Sequence, residues 1–312
     1  MAISGFALHS ALRIVRLALA AGMLAACTTP TPSPPIDDAA LRAERHRMML
    51  IALDSWNERV RRVYLVSHRL LATASEKGWC RPVRPDRGLL IQTADDLPAG
   101  LAVEVLADGR QPPVRIVAVA DASPAADAGL RADDALLAID GEAVTPRHGP
   151  PDAWRGAQSV ALTIADAEGQ RTVRVASQAA CALDIVMDPS HELSAETNAR
   201  GVIHIAQGMV MALQDDDSLA FVIGHELGHR VHADSAWPGL LDAQASQDQE
   251  RQADRFGLLL LAAAGYDPHR VADIWDRLAR LDADHVGQNW LHDHPLRAER
   301  SLRLHEAIES GL

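Results

Sequence analysis

The residues His225-Glu226-Leu227-Gly228-His229 have the types and the spacing needed to bind a metal and activate water. A helix is predicted over Leu219–Val231, so the two histidines, four positions apart, project from one face. Two neutral imidazoles at this spacing can hold two corners of a tetrahedral Zn²⁺, and Glu226 can act as general base on a water beside it. The alternative is a helix with surface histidines. It is disfavoured because apolar neighbours indicate a buried helix, in which polar groups need partners: Phe221, Val222, Ile223 and Leu227.

A second polar pair supplies the ligand that two histidines leave missing. Glu250 and Asp254 are also four positions apart, on a helix predicted to continue through Phe256–Ala264. Glu250 can bind zinc, while Asp254 accepts the outer N–H of a ligand histidine and fixes its tautomer. Together the two segments predict one zinc ion per chain, with His225, His229 and Glu250 as its ligands.

These motifs resemble those of the gluzincin metallopeptidases that include the CAAX prenyl proteases, the OMA-type proteases and bacterial periplasmic assembly-quality proteases. The resemblance covers about Ala182–Leu312. It is carried by the following segments: Asn198-Ala199, Gly208, His225–His229, Glu250–Asp254, Ala264–Pro268, and His294-Pro295 followed by Arg300. The compact segment Asp234–Gln249 lacks a long apolar hairpin, which favours the soluble, lipid-tethered branch of that family over the membrane-embedded branch.

The same resemblance implies peptide-bond hydrolysis and adds His294 and Arg300 as residues that face the active centre. His294 is then expected either to donate to the oxyanion of the tetrahedral intermediate or to occupy the open zinc position. The alternative is a helix start at Pro295 with Arg300 on the surface. The other histidines near these motifs are predicted to be structural or solvent-exposed: His191, His204, His232, His285, His292 and His305.

The N-terminus has the pattern of a secretory signal peptide. Arg13 and Arg16 precede an apolar stretch, Leu17–Ala26, that is too short to span a bilayer. The sequence around Cys27 resembles the bacterial lipobox, which implies a signal peptide over 1–26, lipidation of Cys27 and membrane attachment. An ordinary signal peptide with an incidental cysteine is the alternative. Thr28 in place of Asp favours the outer membrane of a Gram-negative bacterium, and residues 27–36 are expected to be a tether rich in Pro and Thr.

The middle of the chain, 77–182, changes to short β-rich runs separated by Gly and Pro. The segments Ala122–Leu130 and Asp133–Gly141 resemble the PDZ domain of bacterial proteases, with a core over 88–176. PDZ domains bind peptides as an added strand, and Arg87-Gly88-Leu89-Leu90 is the candidate nest for a terminal carboxylate. A degenerate PDZ domain that acts as a spacer or lid is the alternative. The predicted strands are Leu89–Gln92, Leu101–Leu106, Val114–Ala120, Ala135–Ile139, Val160–Ile164 and Thr172–Val175.

Cys80 and Cys181 bracket this region. In an exported protein an even pair of cysteines indicates a disulfide, and antiparallel entry and exit strands would bring the two together. Two unrelated thiols are the alternative. Before them, 37–76 is predicted to be a helical segment of the peptidase domain, because apolar residues recur every three to four positions. These residues are Leu41, Met48, Leu53, Trp56, Val60, Val63 and Leu70. After the two cysteines, 183–312 is predicted to be the catalytic domain, helical apart from one strand, Gly201–Ile205. Residues Val202–Ile205 are expected to align a polypeptide substrate as an added β-strand.

The predicted fold class is therefore α+β, a mainly helical zincin metallopeptidase domain with an inserted β-rich PDZ domain. The formal net charge of −12 argues against nucleic acid as a partner. The expected function is a zinc endopeptidase of the cell envelope that faces the periplasm, cleaves misassembled or unfolded envelope polypeptides and has PDZ-assisted substrate handling. One alternative is an outer-membrane assembly factor or chaperone with mostly latent protease activity, which implies contact with assembly machinery. The other is an adaptor centred on the PDZ domain.

Overall fold

The computed structural model describes residues 36–107, 114–145, 150–151, 153–198, 200–233, 243–282 and 298–311. The chain divides into two units. The first, up to Arg47, contributes only the first turns of one helix to these residues, and every described strand lies in the second, which runs from Met48. None of the described helices combines the length and apolar character needed to cross a membrane.

Helices and strands both contribute substantially, which confirms the α+β class. The helices are α1 (Asp38–Glu76), α2 (Ala99–Ala107), α3 (Pro124–Asp127), α4 (Ala153–Gly156), α5 (Gln207–Ala212), α6 (Asp216–Ala233), α7 (Ala243–Ala263), α8 (Ile274–Asp282) and α9 (Ala298–Glu309), with 3₁₀ turns at Ala94–Asp96 and Pro268–Val271. The strands are β1 (Val83–Asp86), β2 (Leu89–Gln92), β3 (Arg115–Val119), β4 (Ala135–Ile139), β5 (Glu142–Ala143), β6 (Ser159–Asp166), β7 (Gly169–Ala176), β8 (Gln178–Cys181), β9 (Ile185–Asp188), β10 (Ala195–Thr197) and β11 (Ile203–Ala206).

The region predicted to be a PDZ domain has its own sheet and its own core. Among the described residues, its strands pair antiparallel in the order β2-β3-β4-β6-β7, with β5 against β4. Alternate residues of β6 turn inward, so Val160, Leu162 and Ile164 are fully buried. Ser123 caps α3 by accepting a hydrogen bond from the Ala126 N–H at 3.2 Å.

The chain enters and leaves this region through a two-stranded ribbon. β1 pairs antiparallel with β8, and Val83 lies opposite Cys181. Cys80 and Cys181 form a disulfide with their Cα atoms 5.8 Å apart. The two ends of the β-rich region therefore lie side by side, as the sequence predicts for an insertion.

The turn after β1 was the predicted carboxylate nest, and two of its polar groups already contact other residues of the chain. Gly88 has φ +72°, and its N–H donates to Asp86 Oδ2 at 3.1 Å. The Arg87 guanidinium lies 5.0 Å from the ring centroid of Trp154 and donates to the Ala157 carbonyl. The Gly88 N–H and the Arg87 side chain therefore both have hydrogen-bond partners among the described residues.

A second core is built by the C-terminal helices, the sheet β10-β11-β9 and the second half of α1. β11 is the central strand, antiparallel to β10 and parallel to β9. Val63, Val66 and Leu70 of α1 are buried in this core, as the sequence predicts for Val63 and Leu70. Leu41 and Met48, which the sequence places on the same apolar face, are 38% and 60% exposed.

Three predictions of secondary structure are wrong. Leu101–Leu106, predicted to be a strand, lies in α2, because Ala, Leu and Glu form a helix after Pro98 and short apolar runs are ambiguous. The chain after Asp184 is not all helical apart from one strand, since β9 and β10 flank β11. Both are short strands that exist through pairing with β11 rather than through their own pattern.

The strand predicted at Gly201–Ile205 begins later than expected, because Gly201 has φ +78° in the turn that precedes β11. Its predicted role as the strand that aligns a substrate is also wrong. A peptide cannot add to β11, because β10 and β9 already occupy both of its edges.

The helix α1 joins the two cores. Arg61 donates to the Val117 carbonyl of β3 at 2.7 Å, and His68 Nε2 lies 2.9 Å from Asp86 Oδ2 of β1. On the other side, Arg62 donates to Asp216 at 2.6 Å, in the first turn of α6. The PDZ-like sheet and the helix that carries both histidines are therefore attached to neighbouring residues of one helix.

Candidate metal centre

The helix α6 begins at a well-defined cap. Asp215 Oδ1 accepts hydrogen bonds from Ser218 N at 2.8 Å and from Ser218 Oγ at 2.7 Å, and Arg277 donates to Oδ2 at 2.8 Å. Burial by itself raises the pKa of Asp215, but these hydrogen bonds outweigh it and the net pKa is lowered. The ionised carboxylate also suits the positive end of the helix dipole at the start of α6.

The helices α6 and α7 touch through their backbones. A Cβ built on Gly224 would lie 3.0 Å from the Cα of Gly257, and one built on Gly228 would lie 2.8 Å from the Cα of Ala253. Side chains at these positions would push the helices apart. The contact is what brings the Glu250 side chain of α7 within reach of the two histidines of α6.

The ligand atoms of three side chains converge between these helices. His225 Nε2 lies 3.0 Å from His229 Nε2 and 3.5 Å from Glu250 Oε2, and His229 Nε2 lies 3.3 Å from Glu250 Oε1. In a tetrahedron with bonds of about 2.0–2.1 Å, ligand atoms are separated by about 3.3 Å. The His-His-Glu set therefore fits three corners of a tetrahedral zinc site.

The outer side of His225 is held by a chain of charged groups. His225 Nδ1 donates to Asp254 Oδ1 at 2.9 Å, and Arg300 donates to both Asp254 oxygens at 2.7 Å. Arg300 also lies 2.9 Å from Glu250 Oε2 and 4.4 Å from the ring centroid of Trp275. Because Nδ1 carries the hydrogen, Nε2 presents its lone pair towards His229 and Glu250.

Burial and hydrogen bonds together determine the protonation states of His225 and Asp254. Burial lowers the pKa of His225, against the opposing hydrogen bond to Asp254, and so favours the neutral imidazole that a metal requires. For Asp254, burial alone raises the pKa, but the hydrogen bonds from Arg300 and His225 outweigh it and the net pKa is lowered. A neutral imidazole beside an ionised carboxylate is the arrangement that orients a histidine ligand.

Glu226 lies beside this cluster on α6 and is 1% exposed. Thr197, the last residue of β10, donates its hydroxyl to Glu226 Oε2 at 3.2 Å. A buried carboxylate next to a metal site can take a proton from water, which is the general-base geometry.

The structure thus brings together six of the predicted site residues: His225, Glu226, His229, Glu250, Asp254 and Arg300. Arg300 is 3% exposed rather than on the surface. Arg300 contacts the carboxyl groups of Glu250 and Asp254, so it positions other groups. His294 and Cys27 lie outside the described residues.

Three of the histidines predicted to be structural have contacts of that kind, since His191, His204 and His305 lie within hydrogen-bond distance of Gln207, Asn198 and the Ser301 carbonyl. The side chain of His232 and all of His285 and His292 lie outside the description.

Sequence reasoning missed the residues that set the distance between the helices. Gly224 and Gly228 are four positions apart on α6, and Ala253 and Gly257 have the same spacing on α7. Two small residues at this spacing leave a flat strip on one face of a helix. This pattern in the sequence could have predicted the close approach of the two helices. Thr197 and Trp275 had no such indication, because their contacts are made only by the tertiary fold.

Comparison with known proteins agrees with this geometry. A family model described as PDZ domain matches residues 115–165, and one described as Peptidase family M48 matches residues 167–238 and 239–308. The chain is 32% identical over 135 residues to the mitochondrial metalloendopeptidase OMA1 of Arabidopsis thaliana, which covers 34% of this chain and 28% of that protein.

Two bacterial proteins are also similar. The metalloprotease LoiP of Escherichia coli strain K12 is 27% identical over 153 residues, 38% of this chain and 60% of LoiP. The metalloprotease YcaL of the same strain is 24% identical over 154 residues, with the same two shares. The chain spans less than two thirds of the length of these relatives. Since α6 and α7 both lie inside the M48 match, the part of the chain that carries the candidate metal centre is similar to peptidase family M48, and the region before it is similar to a PDZ domain.

Proposed function

We propose that this chain is a zinc-dependent endopeptidase whose metal ligands are His225, His229 and Glu250. The observation that carries the proposal is the convergence of these three side chains beside the buried carboxylate of Glu226. The two histidine Nε2 atoms are 3.0 Å apart, and each lies within 3.3 or 3.5 Å of a Glu250 oxygen. A structural zinc site fills all four positions with protein ligands, whereas three ligands leave one position for water or substrate. The names of the similar metalloproteases support the same assignment.

In this mechanism Glu226 takes a proton from the attacking water and passes it to the leaving amine. The zinc ion, when bound, supplies Lewis acidity that polarises the carbonyl and lowers the pKa of water. Asp254 keeps the Nδ1 hydrogen on His225, and Arg300 holds the carboxyl groups of Asp254 and Glu250 in place. Each residue therefore has one role that a single substitution can remove.

The substrate is proposed to bind along β10 instead of the predicted β11. Within the described residues β10 is paired on one side only, and its last residue contacts Glu226. A polypeptide added to this open edge would be held by backbone hydrogen bonds, which suits a peptidase that acts on extended, unfolded segments.

The zinc content of the purified protein tests the assignment. We expect about one zinc per chain, and His225→Ala, His229→Ala and Glu250→Ala should each abolish most of it, since three protein ligands leave no redundancy. Glu226→Gln should keep the zinc and lose at least a hundredfold in the rate of casein cleavage. Full zinc retention in all three ligand variants would refute the site, and an active Glu226→Gln variant would refute the mechanism.

The cellular setting is proposed from the sequence: a periplasm-facing lipoprotein, attached through Cys27 to the outer membrane, that cleaves misassembled or unfolded envelope proteins. Support comes from the signal-peptide pattern and from the disulfide between Cys80 and Cys181, which an oxidising compartment permits. The attachment is tested by fractionation, in which Cys27→Ala should move the protein from membranes to the soluble periplasm. Continued membrane association would contradict it.

A further inference from the structure

We propose that Thr197 is a positioning residue that holds the general base Glu226 through its hydroxyl group. The proposal rests on the proposed peptidase function and deepens it. Thr197 Oγ1 donates to Glu226 Oε2 at 3.2 Å, and it does so from β10, whereas the metal ligands lie on α6 and α7. The base is therefore held from the strand side of the cleft as well as from its own helix.

This hydrogen bond restrains the last side-chain torsion of Glu226, which has only a weak preference of its own. The last torsion of a glutamate is broad and roughly two-fold, so a carboxylate on a fixed helix still rotates. A hydrogen bond to a carboxylate is stronger than one between neutral groups, and Glu226 is 1% exposed. A donor fixed at Oε2 therefore selects the plane in which the carboxylate faces the attacking water.

The position of the hydroxyl is itself fixed without help from Glu226. Thr197 pairs with Ile203 in the β10–β11 ladder, and threonine has a stiff first torsion. The turn that follows is closed by Asn198, whose Oδ1 accepts hydrogen bonds from the N–H groups of Arg200 at 2.9 Å and Val202 at 3.1 Å.

The glycine of that turn is pressed against α6. A Cβ at Gly201 would lie 2.8 Å from Arg230 Nε, one residue beyond His229. The turn after β10 thus contacts a side chain of the helix that carries Glu226. Because β10 is also the proposed substrate strand, a peptide that pairs with it is placed in register with a base that is already oriented.

The experiment compares Thr197→Val, which keeps the shape and removes the hydroxyl, with Thr197→Ser, which restores it. In the zinc-loaded enzyme we expect Thr197→Val to lower kcat on a short peptide by about tenfold, the rate equivalent of one net hydrogen bond, with little change in KM or zinc content. Thr197→Ser should recover most of kcat. The control Thr163→Val removes a hydroxyl from an exposed threonine pair in the PDZ sheet and should leave kcat unchanged.

A second readout uses the metal-free protein and does not depend on activity. Thr197→Val should lower the urea midpoint of unfolding in the wild-type background and have no such effect in a Glu226→Ala background, where its partner is missing. An equal shift in both backgrounds, or a serine variant no better than valine, would overturn the positioning role. An inactive wild-type enzyme would instead refute the proposed function, and the metal-free cycle would still decide whether the contact to Glu226 exists.

Discussion

Arg300 is the residue on which the charge balance of the metal centre depends. It contacts Glu250 and Asp254 together, and all three side chains are at most 10% exposed. Two buried carboxylates without a cation would repel each other, and the pKa of Asp254, lowered by Arg300 and His225 against the effect of burial, would rise. A single guanidinium therefore contacts both carboxyl groups and lowers the pKa of Asp254 before any metal binds.

Replacing Arg300 by Met should destabilise the metal-free protein strongly. Removing one partner of a buried ion pair costs about 3–5 kcal/mol, because the remaining charge stays buried. The stability of Arg300→Lys should lie between those of the wild type and Arg300→Met. Lysine keeps the charge but loses the two parallel N–H groups that donate to both Asp254 oxygens. Urea unfolding of metal-free protein measures the difference.

The matched control lies one turn further along the same helix. Arg303 pairs with Glu299 at 2.8 Å, but its side chain is 58% exposed, so Arg303→Met should change the unfolding midpoint little. If Arg300→Met were no more destabilising than this control, the charge-balancing role would be wrong.

At the level of the helices, the metal centre depends on how closely α6 and α7 approach. Gly224→Ala would place a Cβ 3.0 Å from the Cα of Gly257 and 3.2 Å from its carbonyl oxygen. Overpacking costs about 1–3 kcal/mol, whereas alanine gains at most about 1 kcal/mol over glycine in a helix. We therefore expect a net loss of stability by urea unfolding, together with weaker zinc binding.

Replacing Gly100 by alanine should not lower the stability. Gly100 is exposed in the first turn of α2, and a Cβ there would meet no atom within 4 Å. Alanine should then leave stability unchanged or raise it slightly. A Gly224→Ala protein as stable as Gly100→Ala would show that the helices can separate without consequence.

The sequence predicted the site better than it predicted the elements around it. Residues with a metal-binding type and a helical spacing, such as His225, His229 and Glu250, could be found because both signals are local. β10 could not be found, because three residues carry no periodic pattern and the strand exists only through pairing with β11. The same limit applies to Thr197, since its contact with Glu226 spans two elements.

For the whole molecule, the two cores allow the PDZ domain to be removed without touching the metal centre. Deleting Gly88–Ala176 keeps β1, β8 and the disulfide between Cys80 and Cys181. We expect about one zinc per chain to remain, because no candidate ligand lies in the deleted segment. Cleavage of unfolded full-length proteins should fall more than cleavage of a short peptide, if the domain delivers long chains.

Zinc content and parallel assays on the two substrates measure this outcome. Loss of zinc would contradict the independence of the two cores. Equal losses on protein and peptide substrates would instead favour the spacer interpretation of the PDZ domain.

The insertion through the β1–β8 ribbon also determines the order in which the molecule can fold. The buried face of α1, with Val63, Val66 and Leu70, packs against elements that follow Cys181 in the sequence. A chain that emerges N-terminus first has its complete PDZ core available before the partners of α1 exist. Once folded, that core brings its own two ends together and replaces a long flexible loop with a short, ordered one, which lowers the entropy cost of closing the peptidase core.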